Sequence, residues 1–325
     1  MGQDQAGGAA ALGRAVAEQV GRVIVGKADQ TRLVTAALLA GGHVLIDDVP
    51  GVAKTLLVRT FAASLGLSFA RLQCTADLLP ADVTGSTVFD QANGTFEFRP
   101  GPIFANVVLV DEVNRATPRT QSAFLEAMEE RSVTVDGRTH ALPRPFFVLA
   151  TQNPVELKGT FPLPEAQLDR FLLRIRMGYP DADEEAHMLA RFRAGDPLSE
   201  VRPVDAAARL PAAQAGVRDV HVADDVARYV VALARATRET PLLRLGASPR
   251  ASLALLHATQ AWAALDGRDF VTPDDVQALV APVLAHRLLL SRDAVIERRD
   301  TEEVLRAVVA TVPVPAEAPD GAEDG

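Results

Sequence analysis

The sequence predicts an α/β protein: a parallel-sheet core with two inserted β-hairpins, followed by a small all-helical domain. Five short runs rich in branched and aromatic residues, at 43–47, 69–73, 107–111, 146–151 and 171–175, are separated by stretches long enough for helices. That spacing is expected of a parallel sheet covered on both faces. Two further segments alternate around turn pairs, 86–98 around Asn93-Gly94 and 132–142 around Asp136-Gly137, both favoured in type I′ hairpins. Beyond Pro180 strand-like runs cease and helix-cap signals take over.

The helices of the first part follow from periodicity. Residues 29–39, 55–65 and 118–131 place apolar side chains at helical spacing with polar ones opposite. In the second part Ser248-Pro249 caps one helix, and Thr272-Pro273 with Asp275 caps another. The uncharged stretch 251–265 reads as a buried helix, since it falls short of the roughly 18 apolar residues that span a bilayer. Val276, Leu279, Val280, Val283 and Leu284 keep one apolar face, in a helix that Pro282 is expected to kink or divide. The ends, 1–13 and 313–325, are small or acidic and read as disordered tails, because such composition buries too little surface to offset ordering entropy. The core is then 14–180 and the helical domain 181–312.

Composition narrows the function. A formal charge of −9 over 325 residues gives no basic footprint, so nucleic acid is not expected as a partner. The single cysteine, Cys74, excludes an intramolecular disulfide, and the chain start lacks a basic-then-apolar signal segment. A cytoplasmic protein without membrane insertion is expected. The histidines are scattered, so no separate catalytic metal is indicated.

The chemistry lies where the predicted strands end. Residues 43–55, HVLIDDVPGVAKT, read as a strand, a tight turn and a helix start, the setting of a phosphate-binding loop. Successive N–H groups there can cradle phosphate oxygens, Lys54 can reach the β and γ phosphates, and Thr55 can bind Mg²⁺ through its hydroxyl. The ATP-binding stretch is Val49, Pro50, Gly51, Val52, Ala53, Lys54, Thr55 and Leu56. Asp48 and Ala53 stand where the usual G-x-x-x-x-G-K-[ST] pattern has glycine. Glycine serves where φ is positive or a ligand comes close, so Ala53 is expected to have ordinary dihedrals and Asp48 to point away from phosphate.

Residues 106–112, NVVLVDE, are a buried strand ending in two carboxylates, where open α/β sheets place ligand chemistry. Asp111 is suited to the Mg²⁺ shell and Glu112, directed elsewhere by strand alternation, to polarising the attacking water. The pair also fits a solvated helix start. Thr151-Gln152-Asn153-Pro154 puts neutral amides at the same edge, and Asn153 can donate to a γ-phosphate or orient water; Asn-Pro is equally a turn initiator. Arg170, in Asp169-Arg170-Phe171, opens the last strand and Arg250 follows the Ser-Pro cap; by itself either could be an exposed charge, the commoner fate of arginine. The ordered cluster, more than any single member, favours nucleotide hydrolysis.

The segments DDVPGVAKT, VVLVDEVNRA, LATQNP and PEAQLDRF together resemble the MoxR family of AAA+ ATPases, related to the magnesium-chelatase motor subunit, over roughly residues 20–310. The hairpins resemble the helix-2 and pre-sensor inserts of that clade, and GASPRA its sensor-2 helix. The resemblance implies an AAA+ P-loop core with a helical lid, ATP and Mg²⁺ as ligands, Asn153 as sensor 1 and Arg250 as sensor 2. It makes Arg170 a finger offered to a neighbouring subunit, and places Val25 and Gly26 of segment 23–26 in the adenine pocket. It further implies a ring, hexameric in this family's manner, that remodels proteins carrying a von Willebrand factor A domain, at times in metal-centre maturation. The same residues also suit a chelatase-like motor, a DNA translocase, which the net acidity disfavours, or a nucleotide-binding scaffold without turnover, against which Lys54, Thr55, Asp111 and Glu112 stand.

Overall fold

The computed structural model describes residues 2–47, 51–153 and 159–315. Helices α1 (Gly2–Gly21) and α2 (Ala28–Leu39) lead into β1 (Val44–Asp47), α3 (Lys54–Leu65) and β2 (Phe69–Gln73). Next come α4 (Pro80–Thr84) and a hairpin of β3 (Gly85–Asp90) and β4 (Thr95–Pro100). β5 (Val107–Asp111) and α5 (Pro118–Glu130) precede a second hairpin, β6 (Ser132–Val135) and β7 (Arg138–Ala141). β8 (Phe147–Gln152), α6 (Glu165–Leu168) and β9 (Leu173–Ile175) complete the sheet-bearing part. The remainder is α7 (Ala182–Ala194), α8 (Ala206–Arg218), α9 (Asp224–Glu239), β10 (Leu243–Leu245), α10 (Pro249–Leu265), α11 (Pro273–Leu284), β11 (Leu289–Leu290), α12 (Arg292–Ile296) and α13 (Thr301–Thr311).

The expected sheet is present, in the order β2-β5-β8-β1-β9. Every neighbouring pair is parallel, so all five strands end at one edge. Side chains alternate between two cores, as strand geometry requires. Val44, Ile46, Val107 and Leu109 join one cluster with Phe61, while Leu45, Val108 and Val110 join the other with Phe124. At the edge where the strands begin, buried His43 accepts the Val148 N–H on Nδ1 and donates from Nε2 to the Met128 carbonyl. Burial, with Arg131 nearby, pushes its pKa down to about 3, so it is a neutral strut between β8 and the end of α5.

Several expectations are corrected. The chain start is helical: Ala9, Ala10 and Leu12 are buried in α1. Its small residues allow close approach to helices far downstream, and a Cβ on Gly13 would come within 2.4 Å of the Leu265 side chain. The surface that this segment covers is remote in sequence, which is why composition alone reads as a tail.

The second hairpin has the predicted turn, with Asp136 and Gly137 at φ 48° and 75°. In the first, Asp90 pairs with Thr95, so residues 91–94 form a longer loop and only Gly94 has positive φ. There the Asp90 carboxylate accepts the N–H groups of Ala92 and Asn93. Pro282 does not divide its helix, since α11 continues to Leu284. Finally, β10 and β11 form a short antiparallel ladder among the later helices.

Candidate active site

The phosphate loop is built on strain where ordinary geometry was expected. Gly51 has φ 87°, and Ala53, immediately before α3, lies in the left-handed region at φ 58° and ψ 23°. An L-residue there costs about 1–2 kcal/mol. The first N–H groups of any helix stand outside its own hydrogen-bond ladder, and in α3 the Leu57 N–H bonds to the Ala53 carbonyl. The left-handed residue thus ends the turn and opens the helix N-terminus as an anion cradle. Asp48, Val49 and Pro50 lie outside the described residues.

Ala53→Gly is accordingly expected to unfold at the same temperature or higher, with a gain of up to about 1 kcal/mol. Release of the left-handed strain is partly offset by the greater entropy of glycine in the unfolded chain. Thermal and urea unfolding measure this; a loss of more than about 1 kcal/mol, the usual cost of Ala-to-Gly in a helix, would show that no strain resides at Ala53.

Beside the loop lies a cavity of about 260 Å³. Val23, Ile24 and Val25 form one wall, Gly51, Val52, Ala53 and Leu56 the floor, and Tyr179, Pro180, Met188 and Phe192 the other wall. Gly26 has φ 69°, and any Cβ there would meet Glu184 Oε1 at 1.8 Å. Glu184 in turn closes the capping box of α7 with Asp181 and lies 3.8 Å from Lys27 Nζ. The sequence reading singles out Val25, Gly26 and the loop. It misses Tyr179, Met188 and Phe192, which carry no motif and reach the cavity from the segment after β9 and from α7.

The acidic pair sits one strand beyond β8. Asp111 Oδ2 accepts from Arg71 Nη2 at 2.7 Å and Nε at 3.2 Å, and Oδ1 accepts from the Thr151 hydroxyl at 2.6 Å. The same hydroxyl accepts the Glu112 N–H at 2.9 Å. Glu112 lies in the left-handed region, φ 55° and ψ 51°; this backbone turn, with the strand already ended at Asp111, parts the two carboxylates. Glu112 Oε2 accepts from Gln73 Nε2 at 3.2 Å and Arg115 Nη1 at 2.9 Å. Buried Asn153 follows β8, and its carbonyl accepts from Asn114 Nδ2 at 3.4 Å. Arg71 and Gln73 acquire these contacts from the register that aligns Gln73 with Asp111, and Thr151 from the pairing of β5 with β8, which no local pattern announces.

Lys54, Thr55, Asp111, Glu112 and Asn153 therefore share the edge where the strands end. Arg170 and Arg250 lie at the other. The Leu172 N–H bonds to the His43 carbonyl, before β1 begins. Arg170 Nε is 3.1 Å from Glu129 Oε2, and Arg250 Nη1 is 3.1 Å from Glu129 Oε1, at the far end of α5. The structure joins the two arginines to each other and sets them a strand length, roughly 13 Å at about 3.3 Å per residue, from the phosphate loop of their own chain.

The donor set suits Mg²⁺ with a nucleotide. The Thr55 hydroxyl and Asp111 carboxylate are hard oxygen ligands, and Asp47 Oδ1, buried just before the loop, has no hydrogen-bond partner among the described residues, as a site completed by ligand or water would leave it. Arg71 must share Asp111 Oδ2 with a cation or yield it. Among the described residues no group of three or more His, Cys, Asp or Glu forms another metal site, and no helix is long and apolar enough to cross a membrane.

A parallel sheet with a phosphate loop after β1, an acidic pair after β5 and a following helical region defines a P-loop ATPase of the AAA+ class. Residues 43–173 match the ATPase family associated with various cellular activities (AAA), and residues 235–308 the AAA lid domain. The chain is 51% identical to protein YeaC of Bacillus subtilis, covering 94% of this chain and 95% of that one. It is 42% identical to chaperone MoxR1 of Mycobacterium tuberculosis (94% and 82%) and 36% to protein MoxR of Paracoccus denitrificans (90% and 94%). A crystal structure from Cytophaga hutchinsonii matches with a TM-score of 0.90 and 34% identity, covering 96% and 98%. The chain belongs to the MoxR family of AAA+ ATPases, and its activity is ATP hydrolysis.

Proposed function

We propose that this chain is the subunit of a cytoplasmic ring of six that uses ATP hydrolysis to remodel client proteins carrying a von Willebrand factor A domain, including clients that mature a metal centre. The observation that supports a ring most directly is the division of the site: Lys54, Asp111 and Glu112 lie at one edge of the sheet, and Arg170 and Arg250 at the other. A head-to-tail ring lets one chain's arginines meet the next chain's phosphates. The relative named a chaperone, MoxR1, supports action on protein clients.

In this reading the α3 N-terminus and Lys54 hold the phosphates, and the base lies between Val25 and Gly26 on one side and Tyr179 on the other. Thr55 and Asp111 would hold Mg²⁺, which would supply neutralisation of phosphate charge. Glu112 takes the proton of the attacking water once it leaves Gln73 and Arg115, and Asn153 orients that water or the γ-phosphate without adding negative charge. Arg170 and Arg250 stabilise the charge that develops in the neighbour's transition state.

The test combines turnover with client binding. The wild-type chain is expected to hydrolyse ATP and, with ATP bound, to capture a von Willebrand factor A-domain protein encoded beside it. Lys54→Ala is expected to remove most ATP binding, because the ammonium aimed at the β and γ phosphates is lost, and to abolish capture while circular dichroism is unchanged. Unaltered ATP affinity in Lys54→Ala would refute the loop assignment. Turnover without client capture would refute the client.

A further inference from the structure

Glu129 stands where the sheet-bearing part, Arg170 and the later helices meet. Each of its carboxylate oxygens takes a different arginine at 3.1 Å, Oε2 from the segment before β9 and Oε1 from the first turn of α10. The same junction is pinned a second time through the backbone neighbour of Arg170. Asp169 Oδ1 accepts from buried Arg287 Nε at 2.6 Å, and Asp169 Oδ2 accepts from the Ser248 hydroxyl at 3.2 Å. Ser248 is itself the cap of α10, accepting the Ala251 N–H. The side chains of Arg170 and of its neighbour Asp169 are thus both tied to the start of α10, the first through Glu129 and the second through Ser248.

Two guanidinium groups drawn this close repel each other. One carboxylate between them removes that repulsion and fixes their spacing. One negative charge against two positive charges leaves a net positive unit, which suits a polyphosphate. With side-chain exposures of 38% for Glu129, 29% for Arg170 and 49% for Arg250, an ion pair of this kind contributes little to folding stability. Its consequence lies in geometry: a shift of α10 against the sheet must either carry Arg170 along or break the bridge.

We infer that Glu129 is a positioning residue that holds Arg170 and Arg250 as a pair and makes presentation of the finger to the neighbouring subunit conditional on the position of the helical lid. This rests on the proposed action of both arginines across the subunit boundary. α5 begins just beyond Arg115, which holds Glu112, and ends at this bridge. One rigid helix therefore connects the water-activating end of a subunit to the finger that the subunit offers its neighbour.

The experiment uses the full-length assembled protein and three variants. Glu129→Gln keeps the shape of the side chain and loses its charge. Its ATP affinity and KM are expected to match wild type, since its own nucleotide site is at the far edge, while kcat falls roughly tenfold or more, the scale on which small misplacements of a catalytic group act. Mixed with excess Glu112→Gln subunits, which cannot hydrolyse but carry an intact Glu129, the Glu129→Gln subunits are expected to regain turnover, because their neighbours now supply a correctly held finger. A general folding defect would not respond to the neighbour's identity. Normal hydrolysis by Arg170→Ala would overturn the finger assignment itself. If Arg170→Ala is inactive and Glu129→Gln is normal, the bridge is only a surface ion pair and the inference is wrong; slow Glu129→Gln turnover that mixing leaves unchanged places the defect within the subunit and also refutes it.

Discussion

Arg170→Ala is expected to bind ATP with unchanged affinity and to hydrolyse it about a thousandfold more slowly or worse. A finger arginine stabilises charge that appears chiefly in the transition state, so its loss is felt in kcat while ground-state binding persists. The position of the residue adds a sharper expectation. Arg170 lies before β9, at the edge opposite Lys54, and is held by Glu129. An Arg170→Ala subunit therefore keeps a sound Glu112 site, and a Glu112→Gln subunit keeps a sound finger. Mixing the two inactive proteins should restore part of the ATPase activity, read by phosphate release after subunit exchange has been verified by labelled subunits. A mixture that exchanges and stays inactive would disprove action in trans and remove the main mechanistic support for the ring.

Glu112→Gln is expected to bind ATP normally and to turn it over at least roughly a hundredfold more slowly, the usual cost of removing a general base. The carboxylate is well placed to be spared by the change in every respect but proton transfer. Its backbone is set by the Thr151 hydroxyl, and its side chain is held by Gln73 and Arg115. A glutamine keeps the acceptor for Arg115, so the loop should retain its shape and the site its nucleotide. Single-turnover phosphate release separates chemistry from product release. Near-normal turnover would show Glu112 to be only a partner of Gln73 and Arg115.

The sheet was legible because buried parallel strands must be apolar on both faces, and short runs such as Val107–Asp111, rich in branched residues and separated by helix-length segments, fit that use. The Ser248 and Thr272 caps were legible for a similar reason, since an orphan N–H is satisfied by a side chain within three residues. The short-range chemistry of the site belongs to the same class: Lys54 and Thr55 are adjacent, Asp111 and Glu112 are adjacent, and strand ends bring both pairs to one edge.

What the sequence by itself determined, then, is the α/β class, the order of the motifs and their family. Tertiary structure alone decided which distant groups meet. Arg71 reaches Asp111, and Gln73 reaches Glu112, through a parallel register; Glu129 holds both Arg170 and Arg250, the second of them 121 positions away along the chain. Tertiary structure also decided backbone states that composition concealed. Ala53 adopts a left-handed turn that glycine would take without strain, because the loop geometry overrides the preference of one residue. The small-residue start of the chain becomes the buried part of α1 because the surface it covers is supplied by helices near the other end. Periodicity and motif chemistry act over a few residues, whereas pairing across a sheet or between helices depends on register and packing that no short stretch encodes.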